Sequence, residues 1–140
     1  MYKRQAVDSL RLARFMDTVA QETGKRPRIL LEVNVGNEDS KFGFFPETLE
    51  KEWPELSSLN HLEIAGLMCI PPPVENPEEA RPYFRRLREL KEVLSGRGGA
   101  TLTELSMGMS HDFETAIEEG ATLVRVGTAI FGGRSYAPAS

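Results

Sequence analysis

The strongest constraint on the fold of this chain is an alternation. Short apolar runs, bounded by glycine or proline, are followed by stretches with helical spacing, and no two runs are joined by a two-residue hairpin signal. Arg28 to Val35, between Pro27 and Gly36, is apolar on both parities except near its end and reads as a buried strand. Leu62 to Ile70 is another, stopped by Pro71-Pro72-Pro73, which cannot extend a hydrogen-bonded ladder. Thr101 to Ser106 and Thr122 to Val126 complete the clear strands, with a shorter remnant at Gln5 to Val7. Between them the spacing predicts a helix capped by Asp8 and stopped at Gly24, with Leu12, Phe15, Met16, Val19 and Ala20 as its apolar positions. A second helix opens at Pro46, carries Leu49 and Trp53, and is short or broken at Pro54. A third is capped by Asn76, opened by Pro77, buries Ala80, Phe84, Leu87, Leu90 and Leu94, and ends at Gly96. After a turn at Met107-Gly108-Met109, a fourth runs from Ser110 to Glu119. Such alternation requires right-handed crossovers and a parallel sheet. The fold class is therefore α/β, either an open doubly wound sheet or part of a (β/α)8 barrel.

Length separates these cases. A closed eight-stranded barrel takes about 250 residues, whereas this chain has 140. It is read as one domain over 1–140, too short for a whole barrel. The 17 Lys and Arg against 21 Asp and Glu give a net charge of −4, which argues against nucleic acid as a partner, since phosphate contacts need a basic face. No apolar stretch approaches the roughly 20 residues of a membrane span, and the N-terminus lacks a secretory h-region, so a cytoplasmic location is expected. A single cysteine, Cys69, and two histidines, His61 and His111, argue against a disulfide or a metal centre.

The chemistry concentrates at the ends of strands. Leu30, Glu32 and Asn34 share one strand face, and the polar pair at its C-terminal end must find partners there, which makes Asn34 a candidate site residue. Ser106-Met107-Gly108-Met109-Ser110 leaves a strand and enters a helix, so Ser110 can cap that helix while backbone N–H groups point into the turn. One unit later Gly127 lets a ligand approach the backbone, and Thr128 offers both N–H and hydroxyl. Two such adjoining turns are where barrel proteins commonly hold a phosphate. Arg125 lies in a strand otherwise made of Leu123, Val124 and Val126, so its charge must be paired or face a cavity.

Leu105 to Ser110, Asp112-Phe113, Ala116-Ile117, Gly120-Ala121-Thr122 and Val124 to Gly132 together resemble the pyridoxal phosphate homeostasis proteins, single-domain relatives of the alanine racemase barrel. Val7-Asp8-Ser9, Val33-Asn34-Val35, Ser40-Lys41-Phe42-Gly43 and Gly66-Leu67-Met68 extend the resemblance from Val7 to Arg134. It implies a partial (β/α)8 TIM-type barrel, alanine racemase N-terminal-like, that binds pyridoxal 5′-phosphate at its C-terminal mouth and serves vitamin B6 homeostasis without turnover. By position, Ser110, Gly127 and Thr128 would hold the phosphate, the Met109 backbone would assist, and Arg125 would face the pyridine nitrogen, with Ser106 and Asn34 close to the cofactor. An arginine there keeps that nitrogen unprotonated and weakens the ring as an electron sink. The lysine that the family couples to its cofactor lies on a first strand with no counterpart here. None of Lys3, Lys25, Lys41, Lys51 and Lys91 matches it, so binding is expected to be noncovalent or lost.

Each residue also has a plainer role. Arg125 can pair with Glu104 or Glu32 in the core; Lys41, after Asn37-Glu38-Asp39-Ser40, can be solvated or paired to those acids. Cys69 reads as a core hydrophobe, His61 as surface at a strand entrance, and His111 as a helix-terminal hydrogen-bonding group. The Arg81, Arg85, Arg86, Arg88 and Lys91 face reads as solvated. Two further functions stay open: a truncated, noncatalytic interaction module that forms a homo-oligomer through its open sheet edge, and a barrel-derived enzyme with Glu32 or His111 as general base.

Overall fold

The computed structural model describes residues 5–39, 41–98 and 100–133; Lys3, Ser40 and Arg134 lie outside them. Five strands, β1 (Gln5–Val7), β2 (Arg28–Glu32), β3 (Glu63–Met68), β4 (Glu104–Met109) and β5 (Leu123–Arg125), form one sheet in the order β1-β2-β3-β4-β5. Every pairing is parallel. Helices α1 (Leu10–Thr23), α2 (Pro46–Ser57), α3 (Arg81–Ser95), α4 (Phe113–Glu118) and α5 (Thr128–Phe131) follow the strands in turn. The remnant at Gln5 to Val7 is thus a paired strand, and strand order follows chain order, as in a barrel wall. None of the described helices is long and apolar enough to cross a membrane.

One face of the sheet and the inner faces of the helices form a continuous core, including Ile29, Leu31, Leu67, Leu105 and Met107 from strands with Leu49, Trp53, Phe84, Leu87 and Leu94 from helices. Each such side chain contributes roughly 1.5–3 kcal/mol by leaving water. The opposite face carries a smaller cluster of Leu30, Ala65 and Met68, with Leu123 against it.

Local chemistry moves several boundaries. Ser9, not Asp8, caps α1, its Oγ accepting from Leu12 N at 3.1 Å. Only Ala13 and Ala20 of α1 are buried, whereas Leu12, Phe15 and Val19 are 37%, 66% and 39% exposed. These three occupy the flank of α1 away from α2, to which Arg14 is tied through Glu55. Because β1 is the sheet edge, none of the described helices packs on that flank. Helix α2 runs unbroken through Pro54. The proline forfeits one backbone hydrogen bond, but Leu49, Trp53 and Leu56, all fully buried, anchor the helix on both sides of it. Asn76 caps a 3-10 turn, Pro77–Ala80, that leads into α3, with Glu79 completing a capping box.

Strand β4 reaches Met109, so the turn expected at Met107-Gly108-Met109 is strand, with a shift in its pairing register between Ser106 and Met109, and α4 starts only at Phe113. Gly108 makes this possible: at φ +100 a Cβ would lie 2.7 Å from Ala116 Cβ, so α4 packs directly on strand backbone. The basic face of α3 is not merely solvated. Arg81, Arg85 and Arg88 converge on Glu119, 5% exposed, at 3.1, 3.2 and 2.8 Å. Burial alone raises the Glu119 pKa, but hydrogen bonds from Arg81 and Arg85 and the charges of Arg85 and Arg88 outweigh it, and the net shift is downward.

Candidate functional site

Because all five strands run the same way, their C-terminal ends meet at one rim. There the turns after β4 and β5 lie side by side, since Met109 pairs with Arg125 in the ladder. A cavity of about 970 Å³ opens at this rim, lined by Met109, Ser110, Arg125, Gly127 and Thr128 from the two turns. Its apolar wall is Ile70 to Val74, kept extended by three prolines, together with Phe131. The sequence offered the prolines only as a strand stop.

Ser110 caps a different element from the one expected. Its Oγ accepts from Gly127 N at 3.1 Å and Ala129 N at 3.0 Å, stitching the β4 turn to the β5 turn, while Asp112 occupies the cap position of α4 without a side-chain bond to that helix's N–H groups. The Ser110 hydroxyl hydrogen stays available to a further acceptor. Among the described residues, neither the Thr128 N–H nor its hydroxyl has a hydrogen-bond partner. Gly127 has φ outside the left-handed region and nothing within 4 Å of a Cβ built on it, so its backbone lies open to the cavity. The Met109 N–H donates instead to Asp112 Oδ1 at 2.8 Å.

Arg125 pairs with neither Glu104 nor Glu32. Its guanidinium donates to Ser106 Oγ at 2.9 Å and to the Cys69 carbonyl at 2.7 Å, both neutral, while Arg28 takes Glu104 at 3.7 Å. Ser106 is thus the acceptor that aims Arg125, not a cavity wall. Glu32 is close enough for Arg125 to pull its pKa down, but burial, then Asp8, push harder, and the net shift is upward. Burial likewise pushes the Cys69 thiol up to about 12, against a smaller opposing pull from Arg125, so the cysteine is an inert core residue.

Asn34, 5% exposed, does not reach the cavity; its carboxamide donates to Glu38 O at 2.7 Å and accepts from Glu38 N at 3.1 Å. Lys41 is exposed and has no ion pair among the described residues, but it lines the cavity. His111 also lines it, its Nε2 2.9 Å from Glu75 O. His61, at the opposite end of the strands, faces Asp17 at 3.3 Å. The cavity therefore combines two cationic side chains, hydroxyl and N–H donors and one engaged carboxylate, a donor set suited to a phosphorylated anion with an apolar body. None of the described His, Cys, Asp and Glu residues group to hold a metal ion.

The pyridoxal phosphate homeostasis protein of Aquifex aeolicus is 46% identical over 134 residues, covering 96% of this chain and 56% of the relative. That of Mus musculus is 38% identical over 138 residues, covering 94% and 50%. The chain thus spans about half the length of the curated relatives it matches. The solved structure of PipY from Synechococcus elongatus without PLP superposes with TM-score 0.85 at 40% identity, over 91% of this chain and 60% of PipY. PipY with PLP bound gives 0.82 at 38% identity, over 91% and 59%. Alanine racemase of Clostridium difficile, at 16% identity and TM-score 0.73, shares the fold. The model of the alanine racemase N-terminal domain matches residues 3–135, and with a five-stranded parallel sheet that reproduces part of that barrel, the chain belongs to the alanine racemase N-terminal domain family.

Proposed function

We propose that this chain binds pyridoxal 5′-phosphate at the rim formed by β4 and β5 and acts as a carrier in vitamin B6 homeostasis, without turnover. The observation that carries the reading is the pairing of unengaged Thr128 donors with an arginine held only by neutral groups, on one cavity. Relatives bearing the name pyridoxal phosphate homeostasis protein, and PipY solved with PLP, support the choice of ligand.

The residues present fit the group. Thr128 N–H and hydroxyl, with the Ser110 hydroxyl hydrogen, would donate to the phosphate, and the open Gly127 backbone would let it approach. The Arg125 guanidinium, fixed by Ser106 and Cys69, would repel a proton from a neighbouring ring nitrogen. When bound, the cofactor supplies an aromatic aldehyde, which a protonated ring nitrogen would turn into a strong electron sink. Arg125 would keep that proton away, which would favour carriage over catalysis. Lys41 is the lysine among those lining the cavity, and it is the candidate primary amine for the aldehyde.

Titration with pyridoxal 5′-phosphate, read by absorption before and after borohydride and followed by peptide mapping, tests this. Saturable binding that weakens in Thr128→Ala and Arg125→Ala supports it; no saturable change and no thermal stabilisation of the parent chain overturns it. Attachment at Lys41 alone would mean that the amine takes part, and saturation without attachment would mean noncovalent binding.

A second reading, an interaction module that dimerises through its open sheet, is favoured by the exposed Leu12, Phe15 and Val19 flank beside β1 and by Ile130 and Phe131, 68% and 86% exposed, beyond β5. A monomer at high concentration in light scattering counts against it.

A further inference from the structure

The loop between β2 and α2 brings Lys41 to the cavity, and one buried side chain is bonded into it. The carboxamide of Asn34 bonds both to the N–H and to the carbonyl of Glu38, at 3.1 and 2.7 Å. That same carbonyl accepts from the Lys41 N–H at 3.1 Å. The Glu38 oxygen therefore joins the Asn34 side chain to the Lys41 backbone. On the far side of Lys41 the chain returns through Gly43, at φ +114, where a Cβ would lie 2.9 Å from Asn34 N. Phe44 then closes on the strand: its N–H donates to Glu32 O and its carbonyl accepts from Asn34 N–H, both at 2.8 Å. Lys41 thus hangs between two ties: one runs through the Asn34 side chain, and the other through backbone groups of Glu32 and Asn34 that a side-chain substitution leaves in place. Asn37, the one non-glycine residue at positive φ among the described residues, sits inside the first tie at φ 51, a conformation Asn tolerates better than most residues. Arg86 holds the base of the loop by donating to Val35 O at 2.9 Å.

We infer that Asn34 is the positioning residue for the Lys41 amine, setting where its backbone stands at the wall of the phosphate cavity without touching the ligand. The inference rests on the proposed binding of pyridoxal 5′-phosphate and deepens it. A lysine on a free loop spreads its amine over many rotamers and many backbone positions; clasping the backbone leaves only the rotamers, so the amine's local concentration at the cavity rises. Asn34 suits this because it both donates and accepts. Aspartate at the same place would still accept from Glu38 N–H but would face the Glu38 carbonyl with no proton, releasing the oxygen that links to Lys41.

The test is competitive labelling of the whole chain with pyridoxal 5′-phosphate and borohydride. The amine nitrogen displaces the aldehyde oxygen as water, and hydride fixes the new C–N bond. The readout is the share of label on Lys41 relative to Lys25, Lys51 and Lys91 in the wild type, Asn34→Asp and Asn34→Ala, beside a thermal melt of each. A parallel series with trace acetic anhydride reads the same amine with no cofactor present. The expected result is a Lys41 preference in the wild type that falls by about tenfold in both variants, while phosphate affinity at Ser110 and Thr128 is unchanged. General unfolding would raise all lysines together and is read separately by the melt; Asn34→Asp, nearly isosteric, keeps the test usable if Asn34→Ala does not fold. Undiminished Lys41 preference in a folded variant overturns the inference and leaves the binding proposal intact. A wild type that binds no pyridoxal 5′-phosphate overturns the binding proposal, and one that shows no Lys41 preference with either reagent overturns the positioning role.

Discussion

Replacing Gly127 by alanine separates folding from binding at this site. Many glycines serve the fold, and Gly108 is one: it stands at φ +100 with Ala116 Cβ 2.7 Å from where its own Cβ would be. Gly127 has neither restriction, since its φ is −118 and a Cβ there meets nothing within 4 Å. Alanine should therefore enter without strain and, by narrowing the unfolded ensemble, add about 0.4–1 kcal/mol of stability. For a chain of this size that is a rise of roughly 1–4 °C in Tm. The same methyl would stand over the backbone that the phosphate is proposed to approach. Holding the phosphate off the neighbouring Thr128 N–H would lose one charge-assisted hydrogen bond, about 1.5–3 kcal/mol, so affinity should fall roughly 10- to 150-fold. Calorimetric titration with pyridoxal 5′-phosphate and with inorganic phosphate, beside thermal melts, measures both effects. Unchanged affinity would show that no anion approaches this backbone, and a lowered Tm would show that the glycine serves the fold after all.

Three further outcomes follow from the same geometry. Thr128→Ala keeps the backbone N–H and loses only the hydroxyl, so phosphate affinity should drop about tenfold with Tm unchanged, because that hydroxyl bonds none of the described residues; an equal loss of Tm would refute the assignment. Glu119 has a lowered folded pKa, so its contribution is present above the unfolded value near 4.5 and is lost as pH falls through the folded value. Stability should accordingly decline on acidification below about pH 4.5, and Glu119→Gln should flatten that decline, as melts across pH 3 to 7 would show. Glu32 has a raised folded pKa, chiefly from burial, so its charged form opposes folding above the unfolded value near 4.5. Glu32→Gln should raise Tm at pH 7 and match the wild type at pH 3, where both states are protonated; no difference at pH 7 would count against the burial argument.

Much of this molecule follows from residue order. The parallel α/β class, the strands around Ile29 and Leu67, the buried stripe Phe84, Leu87, Leu90 and Leu94, and the clustering of Ser110, Arg125, Gly127 and Thr128 are all legible, because periodicity and glycine or proline punctuation are local properties. Tertiary structure decided the rest, through contacts between segments far apart in sequence. Spacing marks Leu12, Phe15 and Val19 as apolar, but only the edge position of β1 leaves them uncovered. Pro54 is a helix breaker locally, and burial of Trp53 and Leu56 overrides it. The arginines of α3 look solvated until α4 delivers Glu119 to them. Arg125 has two candidate acids in sequence, yet Cys69, just past β3, and Ser106 in β4 present a carbonyl and a hydroxyl instead. The Asn34 carboxamide, expected beside the ligand, bonds to its own loop at Glu38, and Lys41, expected to be solvated, is exposed and also lines the cavity. A side chain's type limits which partners it accepts; which of them arrives is settled by the register and packing of elements dozens of residues away.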